Sequence, residues 1–264
     1  MEKKHTKKRK ITFPKAIGII TLCLGATALI VATLYGSQIL AFIGLGLTFW
    51  GIILTYIQTE EYVKKNLLDA TALPPLVTLN QLMEELDYNS KAIYLPPRYL
   101  TDPESNKAYI PKNMEEKLPT PEQIQAKEKQ LFHENFKAML LTPPGSELAK
   151  LFEKILETSF TRTDLLYLQF KIPKLFVEDL EIAQNMEISV EDSKIHVKIE
   201  KLAYIDLTIE TSNLPRLYTS LGCPISSAIA CALAKAIGKP IIIENQQINK
   251  DKAMEIIYRI MEGT

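Results

Sequence analysis

From Ala16 to Thr59 the chain contains no Asp, Glu, Lys or Arg. The stretch divides at Gly36-Ser37-Gln38 into two apolar segments of nineteen residues, Ile17 to Tyr35 and Ile39 to Ile57. At a helical rise of 1.5 Å, each covers about 28 Å, close to the thickness of a bilayer's hydrocarbon core. Lipid offers no partner for backbone N–H and C=O groups, so both segments are expected to be helices. Three residues can turn a helical hairpin but cannot form an external domain. The predicted organisation is a tail over 1–15, a transmembrane helical hairpin over 16–58 and a cytoplasmic domain over 59–264. A cleaved signal peptide is the competing reading. It fits poorly, because the first run exceeds a usual signal core and a second span follows directly.

Orientation follows from the placement of basic residues. Lys3, Lys4, Lys7, Lys8, Arg9, Lys10 and Lys15 precede the first span, none lies at the hairpin tip, and Lys64 and Lys65 follow the second. The positive-inside rule then puts both termini in the cytoplasm of a multi-pass cell-membrane protein. Lys3, Lys4, Lys7, Lys8, Arg9 and Lys10 also form a membrane-surface candidate for anionic headgroups, at about 1 kcal/mol each. Topology determination alone would account for the same charges. Phe13, Tyr35, Tyr56 and Tyr62 fall near the expected interfaces. No ionisable residue lies within the spans, which argues against a pump or channel, whereas Gly25, Ala28, Ala32, Gly44 and Gly51 suit close helix packing or self-association.

The formal net charge is zero, but the first fifteen residues carry +6, so the remainder carries −6. That mildly acidic body argues against a nucleic-acid surface. An apolar fraction of 47% is enough for a buried core and excludes a disordered or collagenous chain.

The body reads as α+β. A helical exit over 60–73 is expected to end at Leu73-Pro74-Pro75, followed by a short amphipathic helix over 78–86. Ala92 to Leu95 and Lys107 to Pro111 read as strands around a long turn. Residues 112–130, rich in Glu, Lys, Gln and Pro, read as an exposed linker or solvated helix. Leu140 to Ser146 reads as a rigid turn, with Ser146 capping a helix that carries Leu148, Leu151, Phe152 and Ile155. A second helix is expected from Asp164 to Phe170. Alternation over 187–199 predicts a hairpin with one wet face, and Tyr204 to Ile209 a further strand. Pro224 to Ile237 reads as a small-residue helix stopped by Gly238, Ile241 to Glu244 as a buried strand, and Lys250 to Met261 as a final helix. One clear helix-to-strand crossover favours α+β over a doubly wound sheet.

Only Leu221 to Ser227 has a chemical look. Gly222 permits a sharp turn, Pro224 suits the first helical position, and Cys223 falls at the N-cap with Ser226 and Ser227 in the first turn. A thiol at the positive helix end can be acidified into a nucleophile or redox sensor, making Cys223 the sole catalytic candidate. The same place could bind an anion through Gly222, Cys223, Ser226 and Ser227. The small side chains Ala228, Ala230, Cys231, Ala232 and Ala234 favour a purely structural role, close approach to a sheet. His5, His133 and His196 share no metal-ligand spacing, and His133 and His196 are expected at the surface, so no metal is implied. Cys223 and Cys231 lie about 12 Å apart along one helix, too far to bridge. Neither G-x-x-x-x-G-K-[ST] nor G-x-G-x-x-G occurs, and no cofactor is implied. Pro96-Pro97-Arg98-Tyr99 matches a P-P-x-Y ligand but reads as a turn.

Residues Gly222 to Pro240, with the double-proline turns Leu95-Pro96-Pro97 and Thr142-Pro143-Pro144-Gly145, resemble the end of uncharacterised archaeal membrane-anchored proteins. The resemblance implies no activity and transfers no residue. The expected function is non-catalytic ligand or protein binding at the membrane. The alternatives are a thiol-dependent enzyme or redox sensor using Cys223, and an accessory subunit of a membrane complex.

Overall fold

A computed structural model describes residues 13–56, 65–113, 118–133, 137–203, 205–249 and 253–262. The chain divides into two compact units, 1–64 and 65–264.

In the first unit the charge-free stretch forms α1 (Phe13–Tyr35) and α2 (Gln38–Tyr56). Gly36 adopts φ +64° at the turn, and Ser37 Oγ accepts from the Leu40 N–H at 3.4 Å to cap α2. A β-carbon on Gly25 would stand 2.5 Å from the Thr48 nitrogen, and one on Gly51 2.5 Å from the Leu22 nitrogen. The helices therefore meet backbone to backbone, which only glycine permits. Ile20, Leu24, Ile30, Leu34, Phe42 and Leu45 point outward and are exposed. Both helices are long and apolar enough to cross a membrane, with 17% and 11% of their most apolar stretches buried. The stretch Pro215–Ile237 meets the same criteria of length and composition but is 83% buried, so its apolarity serves the protein core.

The second unit is a mixed helix-and-sheet body. It opens with α3 (Lys65–Glu85), then β1 (Ile93–Tyr94), β2 (Ala108–Pro111), α4 (Pro121–Gln125), β3 (Phe132–His133), β4 (Ala138–Leu141), α5 (Ser146–Ile155) and α6 (Leu165–Lys174). It continues with β5 (Asn185–Glu191), β6 (Lys194–Glu200), α7 (Ile205–Ser212), α8 (Pro215–Ser220), α9 (Pro224–Ile237), β7 (Ile241–Ile248) and β8 (Met254–Ile260). The strands form one eight-stranded antiparallel sheet in the order β3-β4-β2-β1-β7-β8-β6-β5.

Alternation along each strand sorts side chains between two faces. Tyr94, Ile110, Met139, Val197, Ile243 and Tyr258 enter the main core beneath the helices, with Phe152, Phe176 and the small residues of α9. On the opposite face, Ile93, Tyr109, Leu140 and Ile242 are covered by Tyr99, Leu100 and Ile124. That cover stops partway across the sheet. Beyond it lies a polar surface, where Glu187, Lys198, Glu255 and Gln247 stand side by side across β5, β6, β8 and β7.

Several expectations need correction. The last element is the strand β8, in which Met254, Ile256 and Tyr258 are buried at every second position between β6 and β7. Residues 205–212 are the helix α7, with Thr208 and Thr211 turned inward; Tyr204 lies outside the described residues. The helix α3 runs through Pro74 and Pro75 without stopping, although neither ring nitrogen can donate to the preceding turn. Thr78 Oγ1 donates to the Pro74 carbonyl at 3.1 Å. The stretch 112–130 is partly structured, because Ile124 on α4 is fully buried; residues 114–117 lie outside the described residues. Leu140 and Leu141 belong to β4, and Gly145, not Ser146, is the N-cap of α5. The helix after Asp164 continues through Pro173 and widens into a π-helical turn over Leu175–Asp179. His133 lies on β3.

Candidate functional site

The chain assembles the turn before α9 much as its residue types suggest, then closes it. Gly222 takes φ +75°, and a β-carbon there would stand 2.4 Å from Ser226 Oγ. Cys223 is the N-cap, its Sγ accepting from the Ser226 N–H at 3.4 Å, and Pro224 follows at the first helical position. Each remaining approach is occupied. Ser226 Oγ lies 2.7 Å from Gln246 Oε1, to which it donates. Tyr258 donates its hydroxyl to the Ser226 carbonyl at 2.9 Å, and Tyr94 donates to the Leu221 carbonyl at 2.5 Å. The Gly145 N–H donates to Ser227 Oγ at 3.0 Å, with the Gly145 α-carbon pressed against the first turn of α9.

Gly222, Cys223, Ser226 and Ser227 are thus brought together and buried, with Cys223, Ser226 and Ser227 showing no exposure. Burial pushes the Cys223 thiol above its usual pKa, against the smaller opposing pull of hydrogen bonds from Ser226 and Ile225. Desolvation outweighs the favourable helix end, so the group is a neutral thiol at pH 7 and presents no surface to an anion. Cys231 is buried with its pKa likewise raised.

Other candidates resolve as follows. Tyr99 is fully buried within a 3-10 turn over Pro97–Tyr99, so the P-P-x-Y stretch is a structural turn. His196 lies on the polar sheet face, 3.9 Å from Glu191. Among the described residues no three His, Cys, Asp or Glu side chains gather to hold a metal. The basic tail Lys3, Lys4, Lys7, Lys8, Arg9 and Lys10 lies outside the described residues. One buried cation, Lys235 on α9, is neutralised by Glu153 at 3.0 Å and also donates to the Glu104 carbonyl, tying α9 to α5.

The most distinctive polar geometry lies where β7 changes phase. Its pairing with β8 steps from Ile243 opposite Tyr258 to Asn245 opposite Ile257, leaving Glu244 as a bulge. The extra residue inverts the side-chain alternation beyond it. Gln246 therefore turns inward, bridging Ser226 and the Tyr218 carbonyl. Lys91 clamps the bulge, its Nζ donating to the carbonyls of Ile243 and Glu244. The Glu244 carboxylate pairs with Lys194 at 2.9 Å, which holds it below the usual carboxylate pKa. Next to this wall lies an open cleft of about 1030 Å³, lined also by Lys112, Asn113 and Arg259. Burial pushes the Lys91 ammonium down, and Arg259 adds to that while Glu244 opposes it. Sequence reasoning missed this group because Lys91 meets the bulge from 152 and 153 residues away and the members share no motif.

A family model described as a domain of unknown function (DUF7982) matches residues 2–260, and the chain belongs to that family. No curated protein and no solved structure matches the chain.

Proposed function

We propose that this member of the DUF7982 family is a membrane-anchored protein whose α1–α2 hairpin spans the cell membrane, with both termini cytoplasmic. Its body is a non-catalytic domain that binds a ligand or partner at the membrane surface. The observation that carries the reading is the inside-out character of the hairpin: glycines meet at its centre while Leu24, Ile30, Leu34, Phe42 and Leu45 face outward. In water that surface would be costly, at about 25 cal/mol per Å² of exposed apolar area; in lipid it is matched to its surroundings. The seven basic residues before Ile17 support the cytoplasmic orientation, and six of them add affinity for anionic headgroups. The buried, neutral Cys223 supports the non-catalytic reading over thiol chemistry.

Impermeant maleimide labelling of whole cells tests the topology. Ser37→Cys, at the hairpin tip, is expected to react from outside, whereas Lys239→Cys, exposed on the body, reacts only after lysis. Labelling of Lys239→Cys in intact cells, or release of the protein by alkaline carbonate, would sink the reading. Cys223 and Cys231 are buried and will give little background, and the exposed Cys23 is replaced by Ser in both variants.

A further inference from the structure

The cleft beside the β7 bulge collects cations from three distant segments: Lys91 from the entry to β1, Lys112 from just beyond β2, and Arg259 from β8. Among the described residues, none of the three has a carboxylate within 4.0 Å. Glu244, the bulge residue itself, makes its close ion pair with Lys194. The other lining acid, Asp87, accepts from the Asn89 amide. Lys91 commits donors to two backbone carbonyls, and an ammonium has three. The lining thus carries three cations against the two carboxylates Asp87 and Glu244, beside space open enough for a ligand.

We propose that this cleft binds a phosphoryl or similar multivalent oxyanion group, with Lys91, Lys112 and Arg259 as its cationic ligands and the Asn113 amide as a neutral donor. The inference rests on the reading of the body as a ligand-binding domain and gives that domain a site and a ligand class. A guanidinium and two ammonium groups converging from different strands suit tetrahedral oxyanions, whose charge is spread over several oxygens. A volume of about 1030 Å³ leaves room for a substituent beyond the phosphoryl group itself. Two sources share this chemistry, a soluble phosphorylated compound and a lipid phosphate headgroup.

The test uses the full chain in nanodiscs of neutral phosphatidylcholine, titrated calorimetrically with inorganic pyrophosphate. Saturable, salt-sensitive binding is expected, weakened about tenfold or more by Lys112→Gln and by Arg259→Gln, since charge-assisted contacts are being removed. Lys112 is exposed, so its replacement leaves the fold intact, and the distant Lys150→Gln is expected to bind as the parent does. No binding by the parent, or equal binding by the parent, Lys112→Gln and Arg259→Gln, would overturn the site. Displacement of pyrophosphate by dihexanoyl phosphatidate, but not by dihexanoyl phosphatidylcholine, assigns the site to a lipid headgroup. Retained pyrophosphate binding without displacement assigns it to a soluble phosphorylated compound. Failure of the chain to enter nanodiscs would instead count against the anchor, whatever pyrophosphate does.

Discussion

Cys223 and Gly222 are neighbours whose contributions differ in kind: the thiol's protonation is set by burial, the glycine's necessity by backbone geometry. With φ +75° and Ser226 Oγ 2.4 Å from where a β-carbon would stand, Gly222→Ala combines left-handed strain with overpacking. The expected cost is about 2–5 kcal/mol, seen as a lowered thermal midpoint by circular dichroism in detergent. The Cys223 and Cys231 thiols give a pH prediction. Burial raises both pKa values in the folded state, so between pH 7 and the unfolded value of 9.0 the stability is unaffected. Above 9.0 the unfolded chain releases protons that the folded chain retains, and stability falls, by at most about 1.4 kcal/mol per pH unit per thiol. The buried hydroxyls of Tyr94 and Tyr258, also raised by burial, add the same sign at higher pH. Thermal midpoints measured from pH 8 to 10.5 should decline, and less steeply for a variant with both cysteines replaced by Ala. A flat profile would contradict the burial. At this scale the N-cap geometry of Cys223 was legible from Gly-Cys-Pro, and the small residues of α9 already favoured a structural role; the partners that close the site were not legible. The side chains that seal it, Tyr94, Gln246 and Tyr258, arrive from β1, β7 and β8.

Elements were legible where one period dominated. The two apolar helices, the β5–β6 hairpin and α9 with its Gly238 stop follow directly from composition, alternation and capping. The segment of β8 satisfied two periods at once: Ala253, Ile256, Ile257 and Ile260 fit a helix, while Met254, Ile256, Tyr258 and Ile260 fit a strand. The sheet decides between them, since β6 and β7 each leave an edge that only an extended segment can satisfy. Residues 205–209 show the converse, an alternating run that becomes the helix α7. Prolines misled in both directions. Pro74 and Pro75 lie inside α3, and Pro143-Pro144 drew attention from β4 immediately before them. The bulge at Glu244 has no local signature, because Ile-Ile-Ile-Glu-Asn-Gln is compatible with an unbroken strand. The cleft was illegible for the same reason.

For the whole molecule, the apolar helical hairpin was legible and the body's layering was not. A sheet with one face wholly packed and the other half covered depends on which strands become neighbours, information spread from Ile93 to Ile260. The strand order makes the body unusually dependent on its end. Removing residues 254–264 is expected to leave an unfolded body rather than a smaller one, measurable as loss of circular dichroism signal and rapid proteolysis of the truncated chain. Survival of a folded core would show that the remaining strands can close without β8. β8 joins β7 to β6, and β6 has no other neighbour except β5. During synthesis, therefore, the β5–β6 hairpin lacks its sheet neighbour until β8 leaves the ribosome. The α1–α2 segment emerges long before that. At about 5–20 residues per second, some ten seconds or more separate the two events. On the proposed anchoring, a chain of this order is committed to its membrane before it has a finished body, and a ribosome that stops early leaves a tethered, unclosed sheet at the bilayer for proteases to clear.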